Sequence, residues 1–319
     1  MRVIPPIVTT GNFGISPSML TSGPAEPGTG ETAWNSGTTY AVGDTVYLAS
    51  THLRYQSRTA SNLNKDPSLA TIDTPSADWL VLGPTNKYAA FYALRSTGTV
   101  IASGSSIVLT PGVRVDCIGF SHLSNCASVD VSIARSGSPG TPVYTKTTAL
   151  STRRTGGSFY RWFFTPFTYK TEFALFDLPP LTDAIITITP TSPSGSGNCT
   201  IGTCVIGMQE YIGVALQEPE NDAINFTAVN RAFDGSITSV VRRRNVPKNS
   251  LQVKVAIEDV DRVLEVRDRL NGLTSIYSAL DDTQHGYYSA FFRYGIYKRW
   301  TFTPKNQDHA IATMEIEET

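Results

Sequence analysis

Two groups of carboxylates in this sequence could resemble the catalytic pair of a hydrolase. Asp281 and Asp282 lie in the turn-like stretch DDTQHG, and a second group runs from Glu315 to Glu318. Glycoside hydrolysis needs two carboxyl groups that flank one bond. A turn and a chain end are places where charged side chains are ordinarily solvated. We therefore interpret both groups as solvated charge and predict no catalytic residue among them.

Acyl transfer or proton transfer would need a base with an orienting partner. The four histidines, His52, His122, His285 and His309, are scattered along the chain and form no triad pattern. The glycine pairs in RRTGGSF and SGSGNC precede predicted strands rather than helices, so they cannot present helical amides to a phosphate. The sequence favours a protein that is not an enzyme and that needs no cofactor.

The spacing of the four cysteines bears on whether they could bind a metal. Cys117 and Cys126 are nine residues apart, and Cys199 and Cys204 are five apart. Neither spacing is the short step typical of zinc sites. We predict no metal site and favour buried free thiols, with a disulfide between Cys199 and Cys204 across a hairpin as the alternative.

The densest positive cluster is Arg242, Arg243 and Arg244 in the stretch SVVRRRNVPKNS. The chain has a net charge of -1 and a pI near 6.4, and no aromatic residue is interleaved with these arginines. Nucleic-acid binding usually requires a basic surface. We predict that the cluster forms ion pairs within the domain or between subunits.

An aromatic segment near the C-terminus holds more ring area than the edge of a small domain needs to bury. Its rings are Tyr287, Tyr288, Phe291, Phe292, Tyr294, Tyr297 and Trp300. Core packing explains about half of them, and a protein interface is predicted for the rest. The predicted oligomer interface consists of Arg242, Arg243, Arg244, Phe292, Tyr294, Tyr297 and Trp300.

A second aromatic segment, AWNSGTTYAVGDTVYLASTHLRYQSR, places Trp34, Tyr40, Tyr47 and Tyr55 among glycines and threonines. Aromatic rings can bind the apolar faces of sugars, whereas a small domain also needs aromatic rings for its core. Alternation along a strand pair turns some of these rings outward. We predict that these four residues bind a carbohydrate or a protein partner.

Composition and periodicity predict a mainly β protein. The 319 residues are 40% hydrophobic and 17% charged, and Gly, Pro, Ser and Thr separate short apolar runs. The stretch IEDVDRVLEVRDRLNGL is predicted as a helix, with Val260, Val263, Leu264 and Leu270 on one face. The start of the chain has no apolar run typical of an export signal, and no stretch is long enough to span a membrane. We expect a soluble protein made in a cytosol.

Changes in pattern divide the chain into four predicted parts. Residues 1–31 are rich in Pro and Gly and are predicted as an arm or linker, ordered only by contact with something else. Residues 32–84 are predicted as a small three-stranded module. Residues 85–213 are predicted as an antiparallel β-sandwich of jelly-roll type, in which the apolar run SFYRWFFTPF is one of the predicted strands. Residues 214–319 are predicted as an α+β domain that oligomerises.

The small module resembles the chitin-binding modules of carbohydrate-binding families five and twelve. The pattern W-x5-Y-x2-G-D-x-V, followed by L-x-Y and a later Trp, carries this resemblance over about one sixth of the chain. The matching residues are Trp34, Tyr40, Gly43, Asp44, Val46, Tyr55, Pro67 and Trp79. The resemblance implies that Trp34 and Tyr55 contact sugar, whereas Val46 and Trp79 pack inside the module. Enzymes that carry such modules are secreted, whereas here we expect neither an export signal nor a hydrolase domain.

The same module recurs in tail proteins of tailed bacteriophages, and the stretches LGPTNKYAAFYALRSTGTV and FFRYGIYKRWTFTPKNQDHAIATMEIEE resemble distal-tail or tail-tip proteins of phages. This resemblance implies a structural component of a virion tail, assembled in the host cytoplasm, that links the tail to fibres or hub. The expected partners are other tail proteins and copies of itself, with host glycan as a further partner of the module. Nucleic acid and membrane insertion are not expected. The alternative function is a glycan-binding adhesion protein that recognises a receptor.

Overall fold

The computed structural model describes residues 1–7, 12–71, 74–93, 97–152, 158–216, 219–280, 287–306 and 308–319. About 50% of the chain lies in strands and about 10% in helices, which confirms the mainly β class. None of the helices in these ranges has the length and apolar character that crossing a bilayer requires.

Two short strands precede residue 32, namely β1 (Arg2–Ile4) and β2 (Leu20–Ser22), with a 3-10 turn at Pro17–Met19. Both strands join sheets that are built mainly from later residues. Val3 pairs with Tyr277, and Ser22 pairs with Val108. Val3 and Ile4 have no exposed surface. The Pro- and Gly-rich start is thus ordered by contacts with distant parts of the same chain.

Residues 32–84 form a four-stranded sheet and a separate strand pair. The strands are β3 (Thr32–Ala33), β4 (Thr39–Tyr40), β5 (Thr45–Leu48), β6 (Leu53–Ser57), β7 (Asn62–Leu63) and β8 (Trp79–Pro84), with a 3-10 turn at Pro67–Leu69. The sheet order is β3-β5-β6-β8, and β4 pairs with β7. The three strands predicted here, TVYLAS, LRYQSR and DWLVLG, correspond to β5, β6 and β8.

The middle of the chain contributes two further sheets. Its elements are a 3-10 turn at Ala89–Phe91, β9 (Thr99–Ala102), β10 (Ile107–Leu109), β11 (Cys117–Ser124), β12 (Ser128–Arg135), β13 (Ser138–Ala149), β14 (Ser151–Thr152), helix α1 (Phe159–Phe164), β15 (Thr168–Tyr169), β16 (Phe173–Leu175), β17 (Ala184–Thr191) and β18 (Asn198–Gly207). One sheet has the order β13-β12-β17-β10-β2 and the other β16-β11-β18-β9. Buried side chains of both sheets, such as Val131 and Phe120, belong to one hydrophobic cluster.

The last hundred residues build the largest sheet. Their elements are β19 (Glu210–Tyr211), β20 (Val214–Ala215), β21 (Glu220–Asn225), β22 (Ala228–Arg231), β23 (Ile237–Val241), β24 (Asn245–Ala256), a 3-10 turn at Ile257–Asp259, α2 (Val260–Arg269), β25 (Ser275–Ser278), α3 (Tyr288–Phe291), β26 (Phe292–Pro304) and β27 (His309–Glu318). The order is β19-β1-β25-β26-β27-β24-β20, and β21 also pairs with β24. Helix α2 packs its buried residues against this sheet's hydrophobic cluster.

The predicted helix is present as α2, one turn shorter at its start than the sequence pattern suggested. Val263 and Leu270 of the predicted face are buried, and Val266 joins them. Acidic Asp261 lies in the first turn and Arg269 in the last, where each complements the helix dipole. The placement of charged residues at the two ends and the 3.6-residue spacing of the apolar residues together account for helix α2.

The stretch SFYRWFFTPF was predicted as a strand, and this prediction was wrong. Residues Phe159–Phe164 form helix α1 instead. Rings four residues apart meet on this helix, since the centroids of Tyr160 and Phe164 are 4.7 Å apart and those of Phe159 and Phe163 are 5.2 Å apart. Such i, i+4 aromatic contacts stabilise a helical turn, and a continuous apolar run does not distinguish a strand from a short helix.

Candidate interaction surfaces

A tight turn explains the Gly43–Asp44 pair of the small module. Gly43 adopts a φ of 93°, which lies in the left-handed region that glycine tolerates. A carboxylate oxygen of Asp44 accepts a hydrogen bond of 2.7 Å from the amide of Ala41, and the Asp44 amide donates to the Ala41 carbonyl. The turn directs the chain into β5 and so places Val46 in the module core.

Two of the four predicted ligand-binding aromatics, Tyr40 and Tyr55, lie in that core. Tyr55 has no exposed surface, and its hydroxyl is 2.9 Å from the hydroxyl of Thr51. The ring of Tyr40 contacts Trp79 edge-on, at 5.5 Å between centroids. Because both tyrosines are buried, they cannot stack on a sugar in this conformation. Their prediction as ligand-binding residues is corrected to a packing role, which they share with Trp79.

The other two predicted residues, Trp34 and Tyr47, are partly exposed and adjacent. The amide of Trp34 donates a hydrogen bond of 2.9 Å to the carbonyl of Tyr47. Trp34 also packs against the core of the module from outside. Of the four predicted ligand-binding residues, Trp34 and Tyr47 therefore remain as candidates.

Two of the histidines singled out in the sequence, His52 and His122, lie beside carboxylates, and the hydroxyl of Ser121 lies 2.9 Å from Nδ1 of His122. His52 Nδ1 lies 2.9 Å from Glu26, and His122 Nε2 lies 2.9 Å from Glu318. Each pair joins distant segments of the chain. Asp281, Asp282 and His285 lie outside the described residues.

The half-buried Glu315 and Glu317 of β27 form ion pairs with lysines of the neighbouring strands. Lys248 Nζ lies 2.7 Å from Glu315, and Lys298 Nζ lies 3.7 Å from Glu317. The part of the chain that the structure describes has no group of three or more His, Cys, Asp or Glu side chains that could hold a metal ion. The glutamates of β27 act as cross-strand ion-pair partners.

The Glu26–His52 pair predicts a pH dependence of stability. Burial raises the pKa of Glu26, but hydrogen bonds from His52 and Thr85 outweigh this effect and hold the pKa below the ordinary glutamate range. A lowered pKa in the folded state stabilises the protein above the unfolded-state pKa of about 4.3. This contribution is lost as the pH falls further, through the folded-state pKa.

We expect Glu26→Gln to lower the free energy of unfolding at pH 7 by about 1 kcal/mol. The difference from the wild type should shrink as the pH falls from about 5 to about 3. Urea unfolding across this range measures it, with Glu258→Gln on the exposed surface as the control. A difference between variant and wild type that stays constant with pH would contradict a lowered pKa of Glu26 in the folded state.

All four cysteines are buried free thiols. Cys199 and Cys204 lie on the same extended strand, β18, which places their Cα atoms roughly 16 Å apart. A disulfide requires less than about 7 Å, so the alternative of a Cys199–Cys204 bridge is excluded. Burial, the Cys199 thiol and lesser contributions raise the pKa of Cys126 to about 12.

Buried thiols with raised pKa values react slowly, because the thiolate is the reactive form. We expect no thiol of the native protein to react with a disulfide reagent within minutes, and all four to react after denaturation. A Ser50→Cys variant, which adds one exposed thiol, is the control and should react at once by one equivalent. Rapid reaction of native wild-type protein would show that the thiols are accessible.

The predicted aromatic interface of the C-terminal part is mostly core. Phe292 and Tyr294 belong to a buried cluster with Ile276, and Trp300 is almost fully buried. Tyr297 is partly buried and donates a hydrogen bond of 3.0 Å to the carbonyl of Arg267. The prediction placed too many residues of β26 in the interface, because β26 is covered by α2 and by residues from the middle of the chain. The prediction is corrected for Phe292, Tyr294 and Trp300.

Arg242, Arg243 and Arg244 lie exposed directly after β23, at the base of a projecting hairpin formed by β22 and β23. These two strands pair only with each other among the described strands. Large apolar side chains along the hairpin are exposed, namely Phe226, Val229, Phe233, Ile237, Val240 and Val241. An isolated two-stranded hairpin is marginally stable in water, so this surface is suited to contact with another molecule.

A second projection, which the sequence did not indicate, carries helix α1. The strand pair β14–β15 forms its base, and the chain passes through it from the five-stranded to the four-stranded sheet. Its exposed rings are Phe159, Tyr160, Phe163, Phe164, Phe167 and Tyr169. Because the run was interpreted as a buried strand, its exposure was missed.

Comparison with known proteins gives no further identification: no protein-family model matches the chain, and no curated protein is significantly similar to it.

Proposed function

We propose that this protein is a non-enzymatic structural component of a phage virion tail, at the tail tip, baseplate or tail ring, that links the tail to fibres or hub. The observation that carries the proposal is the pair of projections, the β22–β23 hairpin and the α1 projection, whose large apolar side chains are uncovered in the single chain. Exposed apolar patches of this kind mark interaction sites. The likeness of the sequence to phage tail proteins supplies the biological setting.

In this proposal each part of the chain has a mechanical role. Residues 85–213 form a sandwich of jelly-roll type that spaces the ends, residues 214–319 form the α+β domain that oligomerises, and residues 32–84 form the carbohydrate-binding-like module. The exposed hairpin and Arg242–Arg244, rather than the buried rings of β26, contact the neighbouring subunit. The shared hydrophobic cluster of the two middle sheets supports the sandwich assignment.

Virions of a phage that encodes this chain are expected to contain it in several copies, as a ring requires. Quantitative mass spectrometry of purified virions measures the copy number. A single copy per particle, or none, would contradict the proposal.

In the purified protein, Ile237→Asp with Val240→Asp should abolish any self-association seen by light scattering. The control is Val143→Asp, an exposed valine on β13.

A glycan-binding adhesion protein is the second candidate function, and the partial exposure of Trp34 and Tyr47 favours it. Replacing both by alanine should remove binding on a glycan array, while Leu63→Ala, at an exposed leucine of the same module, should leave it unchanged. Absence of glycan binding by the wild type, or binding that survives the double replacement, favours the structural function.

A further inference from the structure

The α1 projection combines exposed aromatic rings in a way that a protein core does not require. Phe159 is 78% exposed and Phe164 is 70% exposed. On an α-helix, positions 159, 160, 163 and 164 fall within one face of about 140°. These four rings therefore form one exposed apolar surface on the chain between β14 and β15.

The charges of the same segment are all of one sign. Residues 147–171 contain Arg153, Arg154, Arg161 and Lys170 and no carboxylate, whereas the whole chain has a net charge of -1. The remainder of the chain is therefore net negative. An anionic partner complements this segment, and a second copy of the same segment would be repelled.

Aromatic rings flanked by arginine and lysine are the composition that proteins place at the surface of a bilayer. Phenylalanine enters the boundary between headgroups and acyl chains, tyrosine and tryptophan lie at headgroup level, and cations attract anionic lipids. A lipid surface can cover exposed rings of this kind without a preformed groove. This kind of contact needs no membrane-spanning segment.

We propose that the α1 projection, residues 158–169, binds the surface of an anionic lipid membrane by burying Phe159, Tyr160, Phe163 and Phe164 in its interfacial region. This property belongs to the single chain and goes beyond the structural function proposed above.

Flotation of the full chain with vesicles tests the proposal. We expect binding to vesicles of phosphatidylcholine and phosphatidylglycerol that is at least about tenfold stronger than binding to phosphatidylcholine alone, because the charged residues of this segment are all cations. Binding should weaken when the salt concentration is raised from about 0.1 M to about 0.5 M. Equal binding to the two vesicle types, or binding that does not depend on salt, would overturn the anionic preference, and no binding to either type would overturn the proposal.

Substitutions locate the contact. Phe163→Ser with Phe164→Ser should reduce vesicle binding by at least about tenfold. The matched control is Phe233→Ser, which removes a fully exposed phenylalanine from the tip of the β22–β23 hairpin and should leave vesicle binding unchanged. Circular dichroism checks that both variants fold, and the salt dependence of the wild type tests the proposal independently of them.

Two outcomes would contradict the proposed contact between the α1 projection and lipid. Retained vesicle binding in the double variant would overturn the location at α1. Self-association of the wild type by light scattering that is lost in the double variant, without vesicle binding, would identify a protein partner instead of lipid.

Discussion

Replacing Trp79 by alanine is expected to destabilise the small module by about 3–5 kcal/mol. Trp79 has no exposed surface, contacts the ring of Tyr40 and donates a hydrogen bond of 2.9 Å from Nε1 to the carbonyl of Lys65. Its removal leaves a cavity in a core of only a few large side chains, which cannot close without moving the sheet. A module of some fifty residues has little stability to lose, so residues 32–84 should unfold locally.

Limited proteolysis of residues 32–84 and urea unfolding measure this effect. The neighbouring Leu80→Ala is the matched control, because the Leu80 side chain is exposed, and it should cost less than about 0.5 kcal/mol. Trp79→Phe should be intermediate, since a ring remains against Tyr40 while the bond to Lys65 is lost. Equal stabilities of the alanine variants at positions 79 and 80 would show that Trp79 is not the centre of this core.

Replacing Gly207 by alanine is expected to destabilise the whole protein by up to about 3 kcal/mol. A Cβ atom at this position would lie 2.1 Å from the carbonyl oxygen of Pro5. The obstructing atom belongs to the backbone, so no side-chain rotation relieves the contact. The amide of Ile7 also donates to the carbonyl of Ile206 at 3.1 Å. The added methyl group must therefore push the N-terminal segment away from β18.

Chemical denaturation measures the loss, and hydrogen exchange at Val3 and Ile4 shows where it acts, because these residues lie in β1. Gly137→Ala is the control: no atom lies within 4 Å of a Cβ added there. Unchanged exchange in β1 of the Gly207 variant would mean that residues 1–7 do not pack as described.

Several elements were predictable because their signals are local. The alternation in β12 and β17 buries every second side chain. The charge pattern of α2 and the Gly43 turn are equally local. Whether each aromatic ring is buried or exposed could not be predicted from local sequence. Tyr40 and Tyr55 were predicted to bind a ligand, yet both are buried.

The sequence by itself determined the mainly β class, the position of α2 and three of the six strands of the small module. The tertiary structure alone decided which rings are covered: Phe292 and Trp300 are core, while Phe159 and Phe164 are exposed. The physical reason is that the secondary structure of a segment depends on residues near to it in the chain. The burial of a side chain depends on which distant segment packs against it, and this is set by long-range pairings such as that of Val3 with Tyr277.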